Sequence, residues 1–410
     1  MRETYKIVPV YSGDVSGACS ALYELEGMVV MHDPSGCNST YNTFDENRWY
    51  EKESLIFLSG LTDTDAIMGN DKKLIDDILE AAKELKPKFV AITNSPIPYL
   101  NGTDFDGICR KIENELGIPA FYIPSNGMHD YTIGAGKALM IAAKKLMKDK
   151  AQPAADAKEI GIQSTGDIAA GDQPAAGAQN KGGEAEADII EIEEIKVNLV
   201  GITPLDYSRE NAVSDIKEWL RTSGFTFNSS LSLDTSYDEF VNAPDADVNL
   251  VLSSVGMECA IYMNEKYGIP YVVGSPIGDM AKFIAEDIRE SHENKNNINS
   301  YKRVAYGSGE GLVKLIGEPV FMGSMAASIH ILTGRAAQVI VPTEYKTDLL
   351  SKGDIAVTGE EEIEQALHAH KDRTLEIIGD GMYTRVAPEG VRFINVPHLA
   401  LSGRMYQNNK

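Results

Sequence analysis

Short apolar runs along the chain alternate with segments whose apolar positions recur every three or four residues. Leu55-Ile56-Phe57-Leu58, Phe89-Val90-Ala91-Ile92 and the turn-strand Gly117 to Ile123 read as buried strands. Asp71 to Leu85, with Leu74, Ile75, Ile78, Leu79, Ala82 and Leu85 at helical spacing and Pro87 behind it, reads as an amphipathic helix, as does Phe105 to Leu116. The alternation resumes at Lys196. Val197 to Gly201 is a strand, Asn211 to Thr222 a helix, Val248 to Leu252 a strand, Met257 to Tyr267 a helix closed by Gly268-Ile269-Pro270, and Tyr271-Val272-Val273 a strand. A third set of strand-like runs comprises Glu318 to Gly323, Gln338 to Val341, Asp354 to Val357 and Leu375 to Gly379. Regular strand-helix alternation predicts an α/β protein with parallel sheets covered by helices on both faces. Three Rossmann-like units with a cleft between them are expected, at 1–148, 194–295 and 296–410. Residues 149–193 break the pattern: rich in Ala, Gly and acidic residues and without aromatics, they read as a disordered linker.

Composition narrows the function classes. A chain of 410 residues with 43% apolar positions has material for more than one core. No apolar run is long enough to cross a bilayer, and the charged start, Met1 to Lys6, has no apolar segment behind it, so neither a membrane span nor a signal peptide is expected. The formal charge of −23 argues against nucleic acid or an anionic membrane as partner. Four cysteines in a chain of this length do not form a disulfide framework. They are expected to be reduced thiols in a cytoplasmic protein.

The stretch His32-Asp33-Pro34-Ser35-Gly36-Cys37-Asn38-Ser39-Thr40-Tyr41 follows the apolar run Gly27 to Met31. Pro34 and Gly36 force a turn, which leaves the Cys37 thiol at the exit of a buried strand. A thiolate there is placed to ligate a metal cluster; a buried free cysteine under a loop is the alternative. The Thr93-Asn94-Ser95-Pro96 and Ser125-Asn126-Gly127-Met128-His129 loops also follow strands, and ligands of parallel sheets bind at those carboxyl ends. Cys109 and Cys259 fall on predicted helices and read as core.

Taken in order, these loops resemble the nitrogenase component 1 superfamily. Tyr11 to Ala18 is similar to its first loop, and His32 to Cys37 to its His-x-Pro-x-Gly-Cys loop. Leu61 to Leu74 resembles the segment that follows, and Thr93 to Pro96 with Gly102-Thr103-Asp104 resembles its Cys-Pro loop. Ala246 to Val251 and Glu265 to Pro270 match a strand and a helix-turn of its second domain.

The resemblance implies an oxidoreductase subunit with an iron–sulfur cluster, of [4Fe–4S] type, at a boundary between two subunits. The chain would form a homodimer or pair with a paralogous subunit, and a separate ATP-hydrolysing iron protein would deliver low-potential electrons. No P-loop occurs here, so nucleotide chemistry is expected in that partner. Where molybdenum-type subunits place three cluster cysteines, this chain reads Asp14, Cys37 and Ser95. Cys37 is the expected ligand, Cys19 a substitute thiolate, and Asp14 a possible carboxylate ligand. A small-molecule substrate is expected in the cleft between the Ser253-Ser254, Gly274-Ser275-Pro276 and Ser125-to-His129 loops, with His129 as proton donor. No cysteine follows the strand ending Val251-Leu252, and His398 is the sole match to the family's terminal histidine anchor, so nitrogen reduction is not expected. A non-catalytic scaffold for metal-cluster or tetrapyrrole assembly, and a cluster-free small-molecule-binding protein, are the alternatives.

Overall fold

The computed structural model describes residues 4–34, 46–149, 194–208, 211–345 and 348–406. Both Cys37 and the expected 149–193 linker, apart from Asp149, lie outside them. Within them are three parallel sheets. The first contains β1 (Met28–His32), β2 (Leu55–Leu58), β3 (Val90–Asn94) and β4 (Ala120–Ile123) in spatial order 2-1-3-4. The second contains β5 (Lys196–Val200), β6 (Thr226–Leu231), β7 (Val248–Val251), β8 (Tyr271–Val273) and β9 (Ile298–Asn299) in order 6-5-7-8-9. The third contains β10 (Leu312–Ile316), β11 (Ala336–Val341), β12 (Ile355–Ala356), β13 (Thr374–Gly379) and β14 (Arg392–Asn395) in order 12-11-10-13-14.

Each sheet is wound first one way and then the other from its opening strand. Each therefore has a switch point, between β1 and β3, between β5 and β7, and between β10 and β13, where neighbouring loops diverge and leave a crevice. Ile298–Asn299 completes the second sheet, so that unit runs past the boundary expected at 295.

The helices are α1 (Asp14–Leu22), α2 (Asp63–Met68), α3 (Asp71–Leu85), α4 (Pro96–Asn101), α5 (Phe105–Leu116) and α6 (Tyr131–Leu146) in the first unit. The second has α7 (Ala212–Thr222), α8 (Tyr237–Val241), α9 (Met257–Tyr267) and α10 (Met280–Asn294), and the third α11 (Pro319–Thr333), α12 (Gly359–His368) and α13 (Leu399–Ser402). Expected and observed limits coincide for α3, α5 and α9. The run Glu318 to Gly323, expected as a strand, is instead the start of α11. Its apolar residues fit either period over so short a length. Pro319 at the first helical position and the Glu318 side chain accepting from Phe321 N–H decide for helix.

Alternation along the strands divides the first sheet's two faces. Met28, Val30, Val90 and Ile92 pack beneath α3 and α5 against Leu74, Ile75, Ile78, Ile108 and Ile112. Each such side chain contributes on the order of 1.5–3 kcal/mol on burial. Val29, Met31 and Ala91 face α1 and α6 and join a core that runs unbroken into the second and third units. Helix α6 lies between α1 and α9. Gly17 and Gly134 let α1 and α6 touch backbone to backbone, since a methyl group at either would overlap the facing chain at Tyr131 or Asp14. That close crossing sets Asp14 beside the loop that leaves β4.

Candidate functional site

The first switch point gathers three of the loops singled out from the sequence. Ser95 N–H, at the exit of β3, donates to the His32 carbonyl at the end of β1, at 3.4 Å. Asp14, at the start of α1, is buried, and its carboxylate accepts from Asn126 N–H at 2.9 Å and Gly127 N–H at 3.0 Å. Burial pushes the Asp14 carboxyl above its ordinary range against these two donors. Gly127 has φ of 69°, and a Cβ there would press on the Pro96 ring. The Asp14, Ser95–Pro96 and Asn126–Gly127 segments thus form one wall, and the Ser95 hydroxyl is buried without a hydrogen-bond partner among the described residues.

The described residues stop at Pro34 and return at Glu46. The return is anchored: Arg48 clasps the Glu46 carboxylate through Nε at 2.7 Å and Nη2 at 2.9 Å, reaches Glu24 at 2.8 Å, and donates to the Ser20 carbonyl at 2.8 Å. Burial raises the Glu46 carboxyl, and the Arg48 charge and hydrogen bonds outweigh it, holding the group below its usual range. Glu46, where the described residues resume, is thus tied to α1 at Ser20.

The other thiols are elsewhere. Cys19 lies on α1 inside the core, fully buried, and burial with the nearby Glu46 carboxylate pushes its thiol up. Cys109 and Cys259 are also core residues, with thiols pushed up to about 12 by burial. A thiol so disfavoured as thiolate makes a poor metal ligand, so the structure gives no support to Cys19 as substitute. Among the described residues, no group of three or more His, Cys, Asp or Glu side chains is placed to hold a metal ion. Asp14 and Ser95 present oxygen where a four-iron cluster takes thiolate sulfur. The described side chains of one chain do not by themselves fit such a cluster.

The second and third switch points face each other. Asp206, on the loop after β5, receives the Tyr131 hydroxyl at 2.5 Å and lies 3.0 Å from His398 Nε2. Glu318, after β10, caps α11 and also accepts from Ser254 N–H at 2.7 Å. Burial, with Asp206 nearby, pushes the Glu318 carboxyl up to about 7. Asp380, after β13, accepts from His398 N–H and from the Ser402 hydroxyl. Ser253 donates to the Gly201 carbonyl, Ser275 pairs with Tyr207, and Ser275 N–H donates to Ser324, all in the interior. Of the loops expected to line a substrate cleft, those of Ser253 and Ser275 meet where the Ser275 hydroxyl approaches the Leu252 carbonyl, while the Ser125-to-His129 loop bonds Asp14 and Asn94 instead.

His129 ends that third loop. It lies partly exposed beside Glu344, Nδ1 to Oε2 2.9 Å, on a groove of about 780 Å³ between the first and third units that Asp130 and Lys137 also line. Burial raises the Asp130 carboxyl to about 6 while it accepts from Thr132 and Glu344 N–H. Asp206, Glu318, Asp380 and the Glu46–Arg48 pair were not singled out from the sequence. Their signal was faint: acidic residues just beyond apolar strands, where a doubly wound sheet puts its crevices.

Residues 14–286 match the family described as Nitrogenase component 1 type Oxidoreductase. The nitrogenase iron-molybdenum cofactor biosynthesis protein NifE of Clostridium pasteurianum is 28% identical over 247 residues, 59% of this chain and 45% of that protein. One light-independent protochlorophyllide reductase subunit, from Cycas taitungensis, is 22% identical over 316 residues, 76% of this chain and 55% of that one. The chain thus spans about half the length of these relatives. Among solved structures, one described as nitrogenase Cp1 at pH 6.5 shares the fold across the whole chain and 87% of its own, with a TM-score of 0.61 at 15% identity.

Proposed function

This chain belongs to the nitrogenase component 1 type oxidoreductases, and from that membership we propose that it is a subunit working in pairs, as a homodimer or with a paralogue. In this reading an iron–sulfur cluster of [4Fe–4S] type at the boundary takes low-potential electrons from an ATP-hydrolysing iron protein and passes them to a small-molecule substrate. The observation that carries the reading is the convergence of Asp14, Ser95 and the exit of β1, the strand end that precedes Cys37 in sequence, on one switch point. Because one chain's described donors do not fit a four-iron cluster, the reading requires Cys37 from each of two subunits, with the Asp14 carboxylate of each as the candidate for the two ligands still needed. Ser95 would shape the pocket wall.

Pairing is supported by a bare apolar face beside that wall. Helix α2 buries none of its residues; Ile67 and Met68 are 81% and 78% exposed, and Leu100 on α4 is 73% exposed. Iron and acid-labile sulfide in anaerobically purified protein, with its visible spectrum, test the reading. Protein without both would overturn it.

The filled junction between the second and third switch points favours a second reading, a non-catalytic scaffold in cofactor assembly. ATP-dependent reduction with an iron protein separates the two: an enzyme turns over, and a scaffold only releases what it holds.

A further inference from the structure

Beside the first switch point, a recess of about 450 Å³ opens between the carboxyl ends of β1 and β2 and the turns leading into α3 and α5. His32 forms its inner end, only 9% exposed, its ring edge-on to Phe105 at 5.8 Å between centroids. The Ser59 hydroxyl accepts from Asp33 N–H at 3.1 Å and lies 2.8 Å from His32 Nδ1 but 3.4 Å from the Asp33 carbonyl. With the Ser59 proton directed at the nearer atom, Nδ1, the ring proton stands on Nε2. Burial holds this imidazole below its ordinary range. Nε2 has no hydrogen-bond partner among the described residues.

The rest of the lining is charged in one sense. Asp65, Asp71 and Asp104 border the recess. Asp65 bonds Asn70 and Thr62, and Asp104 caps α5 at Gly107 N–H. Asp71 has no side-chain partner among the described residues. The cation on the wall, Lys73, is already paired with Asp77 at 2.6 Å. Leu61, Ile67, Met68 and Pro98 supply apolar surface. A bare metal ion does not suit the place, since no three ligating side chains gather there among the described residues.

We propose that this recess binds a small organic cation carrying a hydrogen-bond acceptor, an amine next to a carbonyl being the simplest case. The ammonium is held by Asp71, with Asp65 behind it, the acceptor takes the His32 Nε2 proton, and the apolar wall covers the remainder. The volume suits a ligand of ordinary metabolite size. The proposal does not draw on the cluster: of these groups only His32, whose carbonyl receives Ser95 N–H, adjoins the cluster wall.

L-leucinamide has these features, and N-acetyl-L-leucinamide keeps its carbonyl and side chain while losing the charge. Calorimetric titration of the full chain should show leucinamide binding at one site and the acetylated compound at least about tenfold more weakly, the loss expected for one charge-assisted hydrogen bond. Asp71→Asn, at an exposed helix start, should weaken leucinamide about tenfold, and His32→Ala should weaken both compounds. Iron content does not enter the readout. No leucinamide binding at millimolar concentration, equal binding of the two compounds, or unchanged affinity in Asp71→Asn would each overturn the proposal.

Discussion

Nε2 of His398 lies 3.0 Å from Oδ1 of Asp206, joining the third unit to the second. The same oxygen takes the Tyr131 hydroxyl of the first unit at 2.5 Å, so one buried carboxylate ties all three together. His398, weighed from the sequence as a metal anchor, is here the partner of an acid, and its own N–H is held by Asp380.

Asp206→Ala should therefore loosen the assembly of the units. It leaves a buried tyrosine hydroxyl and an imidazole without their acceptor, and a loss of about 2–4 kcal/mol in urea unfolding is expected. A loss below about 0.5 kcal/mol would show that this carboxylate does not hold the three units together.

Glu318 gives the protein a pH dependence of definite sign. Its folded carboxyl is pushed up to about 7 from an ordinary value of 4.5. Below the lower value both states hold the proton. Between the two, the unfolded chain releases it and the folded chain keeps it, so stability falls as pH rises through that window. Wild type should unfold more easily at about pH 8 than at about pH 5, and Glu318→Gln should reduce the difference. A variant with an unchanged pH profile would show that another group is responsible.

Arg48 is surrounded by acids in the interior. Arg48→Met would leave Glu46 buried without its partner and free the return of the Cys37 segment, at a cost of about 3–5 kcal/mol. The folded Glu46 carboxyl is held below its usual range, so its contribution is present above the unfolded value and is lost as pH falls through the folded one. Acid unfolding should consequently begin at higher pH in the variant, which circular dichroism during acid titration would read.

Cysteine variants test the proposed cluster directly. Cys37→Ala should lose most bound iron and visible absorption with the fold intact. Cys19→Ala and Cys109→Ala should keep the iron and lose on the order of 1 kcal/mol of stability, as small core truncations. Iron retained in Cys37→Ala and lost in Cys19→Ala would reverse the assignment of the site.

Leu100→Asp, on the bare face beside α2, should shift sedimentation toward monomer while leaving the melting temperature of the separate chain nearly unchanged, because the side chain is 73% exposed. Unaltered sedimentation of a pair would place the interface elsewhere.

What the sequence determined by itself was local. The 3.6-residue spacing in α3, α5 and α9 set those helices to the residue, because the face each buries is encoded within a few turns. The short apolar runs marked most of the strands and hence parallel sheets. A run as short as Glu318 to Gly323 satisfied either period, and a buried capping carboxylate settled it. Asp14 and Ser95 stood out because their loops follow the order of known cluster loops. Their surroundings were a tertiary matter. Asp14 finds its donors at Asn126 and Gly127, Asp206 meets His398, and Glu318 reaches Ser254. Such contacts join residues far apart in the chain, chosen by how three twisted sheets turn their switch points inward, and no local period records that choice. Cys19 shows the same limit: its place near Asp14 in sequence suggested a ligand, and the packing around α1, all of whose residues are buried, encloses its thiol in the core.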